Sequence, residues 1–121
     1  MRVRVHHNGR LHLITLSNGV SRRLRNLPYD LGAYFLKGPG AKRIPVKMLI
    51  LSRVRIQGVA SANRLMMLAY GKKHARRVPI VVRPLGRHYR VLDGNSTAIN
   101  AIASDWPLIM ADVAPLNRAR R

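Results

Sequence analysis

The chain has 121 residues and is 47% hydrophobic, which is enough to bury one core but not two. It contains no cysteine, which excludes disulfide bonds, thiolate metal sites and cysteine redox chemistry. Its 23 lysine and arginine residues stand against four aspartates and no glutamate, giving a net charge of +19. Because such an excess destabilises a small domain by self-repulsion, the composition favours a polyanionic partner.

The first 43 residues predict a β-hairpin followed by a basic connector. Valine and leucine alternate with polar residues on both sides of Asn8-Gly9, a dipeptide typical of type I′ hairpin turns. Residues 17–43 contain several Gly, Pro and Asn residues, so we predict a mostly irregular segment with one short helix around residues 29–36. This connector either docks onto the rest of the chain or wraps a partner.

Residues 44–73 predict a strand, a turn and a short helix. The run at 44–54 is apolar and long enough for one buried strand, and residues 55–58 are typical of a turn. Ser61 is a suitable N-cap for a helix of about two to three turns. Gly71 and the two lysines that follow it would end that helix.

Residues 78–113 predict a hairpin, a second helix and a final strand. β-Branched and aromatic residues at 80–83 and 89–92 flank a segment rich in turn residues, which is typical of a hairpin. The second strand would end at Asp93-Gly94-Asn95, and Asn95 or Ser96 would cap a helix that continues through Ala103.

The start of that helix is the candidate functional motif. Free backbone N–H groups, the positive end of the helix dipole and the side chains of Asn95, Ser96 and Thr97 would face one space. Such a space suits a phosphate or a carboxylate. The alternative is an ordinary N-cap after a tight turn.

Several motifs occur in order between residues 44 and 113. They are Gln57-Gly58, Ser61 with Met66 and Met67, the segment PIVVRPL from Pro79, the segment YRVLDGNST from Tyr89, and Trp106-Pro107. Over these 70 or so residues the chain resembles the ParB/sulfiredoxin-like domain. The Asp-Gly-Asn-Ser-Thr turn looks most like ParB-like nuclease-type domains found at the ends of bacterial polymorphic toxins and in mobile elements.

The resemblance implies an α+β fold, a small mixed sheet with two or three short helices, to which the N-terminal hairpin is added. We therefore predict a hairpin and connector at 1–43, a ParB/sulfiredoxin-like domain at 44–115 and a basic tail at 116–121. The helix-turn-helix and dimerisation segments that follow the domain in partition proteins are not expected, so the chain is the module alone or a fragment of a longer protein.

The chain also departs from the better-understood members of that family. Sulfiredoxin chemistry needs a nucleophilic cysteine in the glycine-rich turn, and the absence of cysteine excludes it. Partition-type members carry a Gly-Glu-Arg-Arg-like box that helps hold a nucleoside triphosphate, whereas this turn offers Asn95-Ser96-Thr97. CTP hydrolysis of the chromosome-segregation kind is therefore not expected.

Two classes of function remain. The first is an enzyme, a ParB-like nuclease or nucleotide-dependent toxin domain, using Mg²⁺ or a nucleoside triphosphate. Asp93 would be its general base or metal ligand, with Asn95 and Ser96 completing the catalytic set. The candidate phosphate- or nucleotide-binding residues are Gly94, Thr97, Gln57 and Arg83. A single carboxylate is few for metal-dependent phosphodiester cleavage, so the second class is a non-catalytic nucleic-acid-binding or ribonucleoprotein component.

Clusters of basic residues mark the expected nucleic-acid contacts: Arg53, Arg55, Lys72, Lys73, Arg76 and Arg77. DNA or RNA is the expected partner, and an acidic immunity or antitoxin protein is a second one.

No dedicated metal site is predicted, because none of the five histidines has ligand spacing. With no apolar run of about 18 residues and no signal-peptide pattern, we expect no membrane span and a cytoplasmic location.

Overall fold

A five-stranded mixed sheet forms the centre of the computed structural model, which describes residues 1–114. The strands are β1 (Arg2–His7), β2 (Arg10–Thr15), β3 (Ala41–Pro45), β4 (Leu49–Ile50), β5 (Ile80–Leu85), β6 (His88–Asp93) and β7 (Leu108–Val113). The helices are α1 (Asn18–Arg23), α2 (Leu31–Tyr34), α3 (Ile56–Tyr70) and α4 (Asn95–Ala103), with a 3₁₀ turn at Val46–Met48. Strands β1 and β2 form a separate hairpin, and the central sheet has the order β3-β7-β5-β6-β4. The predicted α+β class with an N-terminal hairpin is confirmed, and the predicted tail at 116–121 lies outside the described residues.

The N-terminal hairpin has the predicted turn. Asn8 and Gly9 both have positive φ values, 51° and 74°, as a type I′ turn requires. Strand β1 anchors the hairpin, because the backbone N–H of His6 donates to the carbonyl of Leu51 at 2.7 Å. All six residues of β2 are exposed.

The prediction of one strand over residues 44–54 is wrong. Strand β3 ends at Pro45, a 3₁₀ turn follows, and β4 comprises only two residues. Since β3 and β4 occupy opposite edges of the sheet, the apolar run crosses from one edge to the other instead of extending along a single strand. Proline cannot donate a backbone hydrogen bond, which makes position 45 a natural place for the strand to stop.

Helix α3 is longer than predicted. Residues 55–58 do not form an independent turn: Arg55 is the N-cap, the first turn begins at Ile56, and Ser61, the predicted N-cap, lies inside the helix. The buried positions Val59, Ala62, Met66 and Ala69 repeat at helical spacing, so the apolar face extends into the first turn and overrides the weak helix propensity of Gly58.

Helix α3 ends where the sequence predicts, but the residue in the left-handed conformation is Lys72 and not Gly71. Gly71 is the C-cap with φ −82°, and Lys72 has φ +61°. The N–H of Lys73 donates back to the carbonyl of Leu68 at 2.8 Å, the closing bond of a Schellman motif.

The hairpin, helix and strand predicted over residues 78–113 are confirmed as β5, β6, α4 and β7. A two-residue turn, Gly86-Arg87, joins β5 and β6. The N-cap of α4 is Gly94 with φ +95°, so the prediction that Asn95 or Ser96 caps this helix is wrong. In the connector, α2 lies within the predicted helical segment, whereas α1 was not predicted. The Ser17 side chain caps α1 by accepting from the N–H of Val20 at 3.3 Å.

Residues of the connector contribute to the same core as the sheet and the two longer helices. Leu27, Tyr34 and Phe35 are buried, and the indole N–H of Trp106 donates to the carbonyl of Leu27 at 2.8 Å. The predicted boundary between residues 43 and 44 falls inside β3. Within residues 1–114, no helix has the length and apolar character needed to cross a bilayer.

Candidate anion-binding site

A cavity of about 280 Å³ lies where α3 and α4 begin. Its lining joins the predicted phosphate-binding turn to three of the predicted nucleic-acid-binding arginines. The lining residues are Arg53, Arg55, Gly58, Arg77, Asp93, Gly94, Asn95, Ser96 and Thr97. The sequence placed these residues in two separate predictions, and the fold brings them into one cavity.

Both helices that meet at the cavity begin without a side-chain cap. Neither Arg55, the N-cap of the 15-residue α3, nor Gly94, the N-cap of the nine-residue α4, makes a side-chain capping hydrogen bond. The first turn of each helix also contains no acidic residue. Since the first N–H groups of a helix have no intrahelical partners, two positively polarised helix ends face the same space.

Two glycines allow the close approach that forms the cavity. A Cβ at Gly94 would lie 2.6 Å from Cγ2 and 2.9 Å from Cβ of Ile80, and its φ of +95° strains any L-residue. A Cβ at Gly58 would lie 2.8 Å from the hydroxyl oxygen of Ser96. Glycine at 58 therefore lets the starts of α3 and α4 come together, and glycine at 94 lets the chain turn from β6 into α4.

The side chain of Asn95 joins α4 to the segment that carries two of the arginines. Its Oδ1 accepts from the backbone N–H of Ser52 at 2.9 Å, and its Nδ2 donates to the Ser52 hydroxyl at 2.9 Å. Asn95 is buried, and both polar atoms of its amide are engaged in this contact. The contact fixes the segment between β4 and α3, which includes Arg53 and Arg55, against the start of α4.

Arg77 is the most constrained cation of the cavity. Its backbone N–H donates to the carbonyl of Tyr34 at 2.7 Å, and its own carbonyl accepts from the N–H of Leu36 at 2.8 Å. Its Nε donates to Oγ1 of the buried Thr97 at 3.1 Å. Partial burial lowers the pKa of the Arg77 guanidinium, because a low-dielectric environment disfavours its charge. Arg53 and Arg55, by contrast, are exposed at the mouth of the cavity.

Asp93 is the single carboxylate in the lining of this cavity. It pairs with Val81 across β5 and β6, and Val81 pairs on its other side with Asp112 of β7. Two strand spacings place the backbones of the two aspartates about 10 Å apart. Among the described residues no group of three His, Cys, Asp or Glu side chains could hold a metal ion. The arrangement therefore favours holding an anion, with one carboxylate available to accept a proton.

Other predicted site residues lie outside the cavity lining. Gln57 is exposed in the first turn of α3, one residue before Gly58. Arg83 lies on β5 directly across from Arg90 of β6. Lys72 and Arg76 line a cavity beside Tyr70 and His74, and Lys73 lines another cavity along α3; these two cavities are separate from the one at the helix starts.

A buried asparagine pair, which the sequence analysis missed, cross-links the two longer helices. Asn100 of α4 donates to the carbonyls of Val59 at 3.0 Å and Ser96 at 2.9 Å, and its Oδ1 accepts from Asn63 of α3 at 2.8 Å. Asn63 also exchanges hydrogen bonds with the backbone of Arg25, at 3.0 and 2.9 Å. Asn63 lies among apolar residues on the buried face of α3, and Asn100 lies between Ile99 and Ala101 in α4; a polar residue within an apolar run is the sequence signal that could have identified them.

Comparison with known proteins finds a similar solved structure but no matching family model or curated protein. No protein-family model matches the chain, and no curated protein matches it. One solved structure similar to it is the C-terminally truncated chromosome-partitioning protein ParB from Caulobacter crescentus complexed with CTP-gamma-S, at 18% identity and a TM-score of 0.45. The similarity covers 65% of this chain and 46% of that one, so the chain spans less than half the length of that protein.

Proposed function

We propose that this protein binds nucleic acid and holds one phosphate group of the strand between the starts of α3 and α4. One observation carries the proposal: two uncapped helix N-termini and three arginines line the same cavity. Helix N-termini and arginine forks are the groups with which proteins most often hold phosphate oxygens.

The residues of the cavity take different parts in this binding. The backbone N–H groups of residues 95–97 donate to the phosphate oxygens, and Arg77 supplies a fixed positive charge beside Thr97. The exposed Arg53 and Arg55 attract the strand and contact it at the mouth of the cavity. Asn95 acts indirectly, by keeping Ser52 and the two arginines after it in place.

The charge of the chain favours a strand over a free nucleotide. The cavity, with a volume of about 280 Å³, is large enough for one phosphate group of such a strand. A net charge of +19 exceeds what one nucleotide would neutralise and suits a polyanion.

Phosphodiester cleavage is the second candidate function, and the position of Asp93 favours it. As the one carboxylate in the lining, Asp93 could take a proton from an attacking water or bind Mg²⁺ beside the phosphate. A toxin role, and an acidic immunity or antitoxin protein that covers the basic surface, remain predictions that depend on this activity.

The test is incubation of the purified chain with plasmid DNA and total RNA, with and without Mg²⁺ and nucleotide, scored for retardation and cleavage. The variants are Asp93→Asn and its control Asp112→Asn, which removes the carboxylate on the other side of Val81. Binding alone predicts salt-sensitive retardation that Asp93→Asn retains or strengthens, because a negative charge beside the phosphate is lost. Cleavage that Asp93→Asn abolishes and Asp112→Asn retains would establish the enzyme. Failure to retard either nucleic acid at low salt would refute the proposed function.

A further inference from the structure

A second group of cations lies along α3, away from the cavity at its start. Arg23, Arg25, Arg64 and Lys73 line an open groove of about 490 Å³, together with Asn63 and apolar residues of α3. None of the lining residues is acidic, and all four cations are exposed. We propose that this groove is a second phosphate-contacting site, and that the two sites together bind one extended phosphodiester strand.

Fixed backbone positions hold the groove in place. Arg25 is fixed because its backbone N–H and carbonyl both bind the side-chain amide of Asn63. At the other end, the N–H of Lys73 is bound to the carbonyl of Leu68 in the turn that ends α3. The cations are therefore carried on rigid elements, although their side-chain ends are in solvent.

A continuous chain of hydrogen bonds connects the groove to the first site. It runs from the backbone of Arg25 to Asn63, from Asn63 to Asn100 at 2.8 Å, and from Asn100 to the carbonyl of Ser96 at 2.9 Å. Asn63 and Asn100 are buried, so water does not compete for these bonds. Because the two sites are rigidly linked, a ligand that spans them gains both sets of contacts without ordering a flexible segment.

The length of α3 determines how large the ligand must be. Gly58 lines the first site and Gly71 lines the far end of the groove, and the 13 residue steps between them amount to about 20 Å along the helix axis. One strand of B-form DNA advances about 3.4 Å per phosphate, so about six phosphates cover this distance. A single phosphate cannot reach from Gly58 to the far end of the groove, whereas a nucleic-acid strand can. The exposed residues along α3, among them Ser61 and the groove-lining Ala60 and Arg64, include no carboxylate that would repel such a strand.

This inference rests on the proposed function, and its test separates the two. The double variant Arg64→Gln/Lys73→Gln removes two charges from the groove. The control Arg10→Gln/Arg87→Gln also removes two exposed charges, one at the tip of the β1–β2 hairpin and one at the tip of the β5–β6 hairpin. The tip of β5–β6 is remote from the first site, because Asp93, which lines that site, lies at the other end of β6. Binding of a labelled 20-base-pair duplex and a 20-nucleotide single strand is followed by fluorescence anisotropy over a range of salt concentrations. Binding of inorganic triphosphate, which is too short to reach from Gly58 to Lys73, is measured by calorimetry.

We expect the groove variant to reduce the salt slope for the duplex by about 1.8, at about 0.9 for each lost contact, and by about 1.4 for the single strand. If the variant and the wild type bind the duplex equally at 1 M salt, this change in slope corresponds to a loss of affinity of about 60-fold at 0.1 M salt. The control variant should retain the wild-type slope, and triphosphate should bind both variants as it binds the wild type.

Equal slopes for the groove variant and the control would overturn the inference while leaving the first site intact. If the wild-type protein does not bind triphosphate, the first site is refuted and this inference with it. Polyglutamate of matched charge serves as a competitor. If it displaces the duplex at equal concentration, the groove binds acidic protein and the assignment to nucleic acid is overturned.

Discussion

Replacing Gly58 by alanine should separate phosphate binding from folding. Alanine favours a helix over glycine by about 0.5–1 kcal/mol, which stabilises α3. The new methyl group would lie 2.8 Å from the Ser96 hydroxyl oxygen, so that side chain must rotate, at a cost of about 0.5–1.5 kcal/mol if it leaves its preferred rotamer. The two effects nearly cancel, and the free energy of unfolding should change by less than about 1 kcal/mol.

The effect on binding should be much larger. The methyl group would occupy part of the space between the starts of α3 and α4 and move the phosphate away from the backbone N–H groups there, so that the phosphate loses at least one charge-assisted hydrogen bond. Such a bond contributes about 1.5–3 kcal/mol, which corresponds to a loss of affinity of about 10- to 100-fold.

The assay is calorimetric titration with inorganic triphosphate, combined with urea denaturation of the same samples. Gly19→Ala is the matched control, because it makes the same chemical change in the first turn of α1, where a Cβ would meet the Ser17 hydroxyl oxygen at an ordinary 3.8 Å. Unchanged affinity in a folded Gly58→Ala protein would refute the proposed position of the phosphate. An equal loss of affinity in Gly19→Ala would show that the change at Gly58 acts nonspecifically.

Gly94→Ala combines a left-handed φ with a clash against Ile80, so urea denaturation should show a loss of about 2–5 kcal/mol; a loss below 1 kcal/mol would contradict the geometry. Asn100→Leu leaves the buried carbonyl of Val59, the partly buried carbonyl of Ser96 and the Asn63 amide without this partner and should lower the free energy of unfolding by about 2–4 kcal/mol, whereas a stabilised variant would show that the asparagine pair is dispensable. Burial raises the pKa of the Tyr34 hydroxyl, so the unfolded state loses this proton first and stability should fall as pH rises above about 10; Tyr34→Phe should flatten that fall, and an unchanged pH profile would assign it to other groups. Arg77→Lys keeps the charge but lacks the Nε that bonds Thr97, so triphosphate affinity should fall about tenfold in calorimetry, and wild-type affinity would show that charge alone is sufficient.

Local patterns were sufficient to predict much of the fold. The Asn8-Gly9 turn, the β5–β6 hairpin and the apolar spacing of α4 depend on interactions between neighbours in the chain, and all three predictions are confirmed. The largest error arose where distant parts of the chain decide the structure. The apolar run at 44–54 is divided between two strands, because β3 and β4 lie at opposite edges of the sheet. The local sequence of a segment does not determine which other strand it pairs with.

The candidate site was predicted in two parts that the sequence could not join. The turn at 93–97 has a recognisable composition, and Arg53, Arg55 and Arg77 were noted for their charge, but their meeting depends on the first turn of α3 lying beside the first turn of α4. That approach requires Gly58, which the sequence analysis assigned to a turn. The partner of Asn95, the hydroxyl and N–H of Ser52, is 43 residues distant and was also missed.

The most direct test of the account is a titration of ¹⁵N-labelled protein with inorganic triphosphate, followed by amide chemical shifts. We predict that the largest shifts arise in the first turns of the two helices, at residues 56–58 and 94–97, with the Nε–H of Arg77 shifting in parallel. In the Gly58→Ala protein the same titration should require at least about tenfold more ligand. Shifts centred on β2 or on the outer residues of β5 and β6, with the helix starts unchanged, would contradict the central claim that the phosphate is bound between α3 and α4.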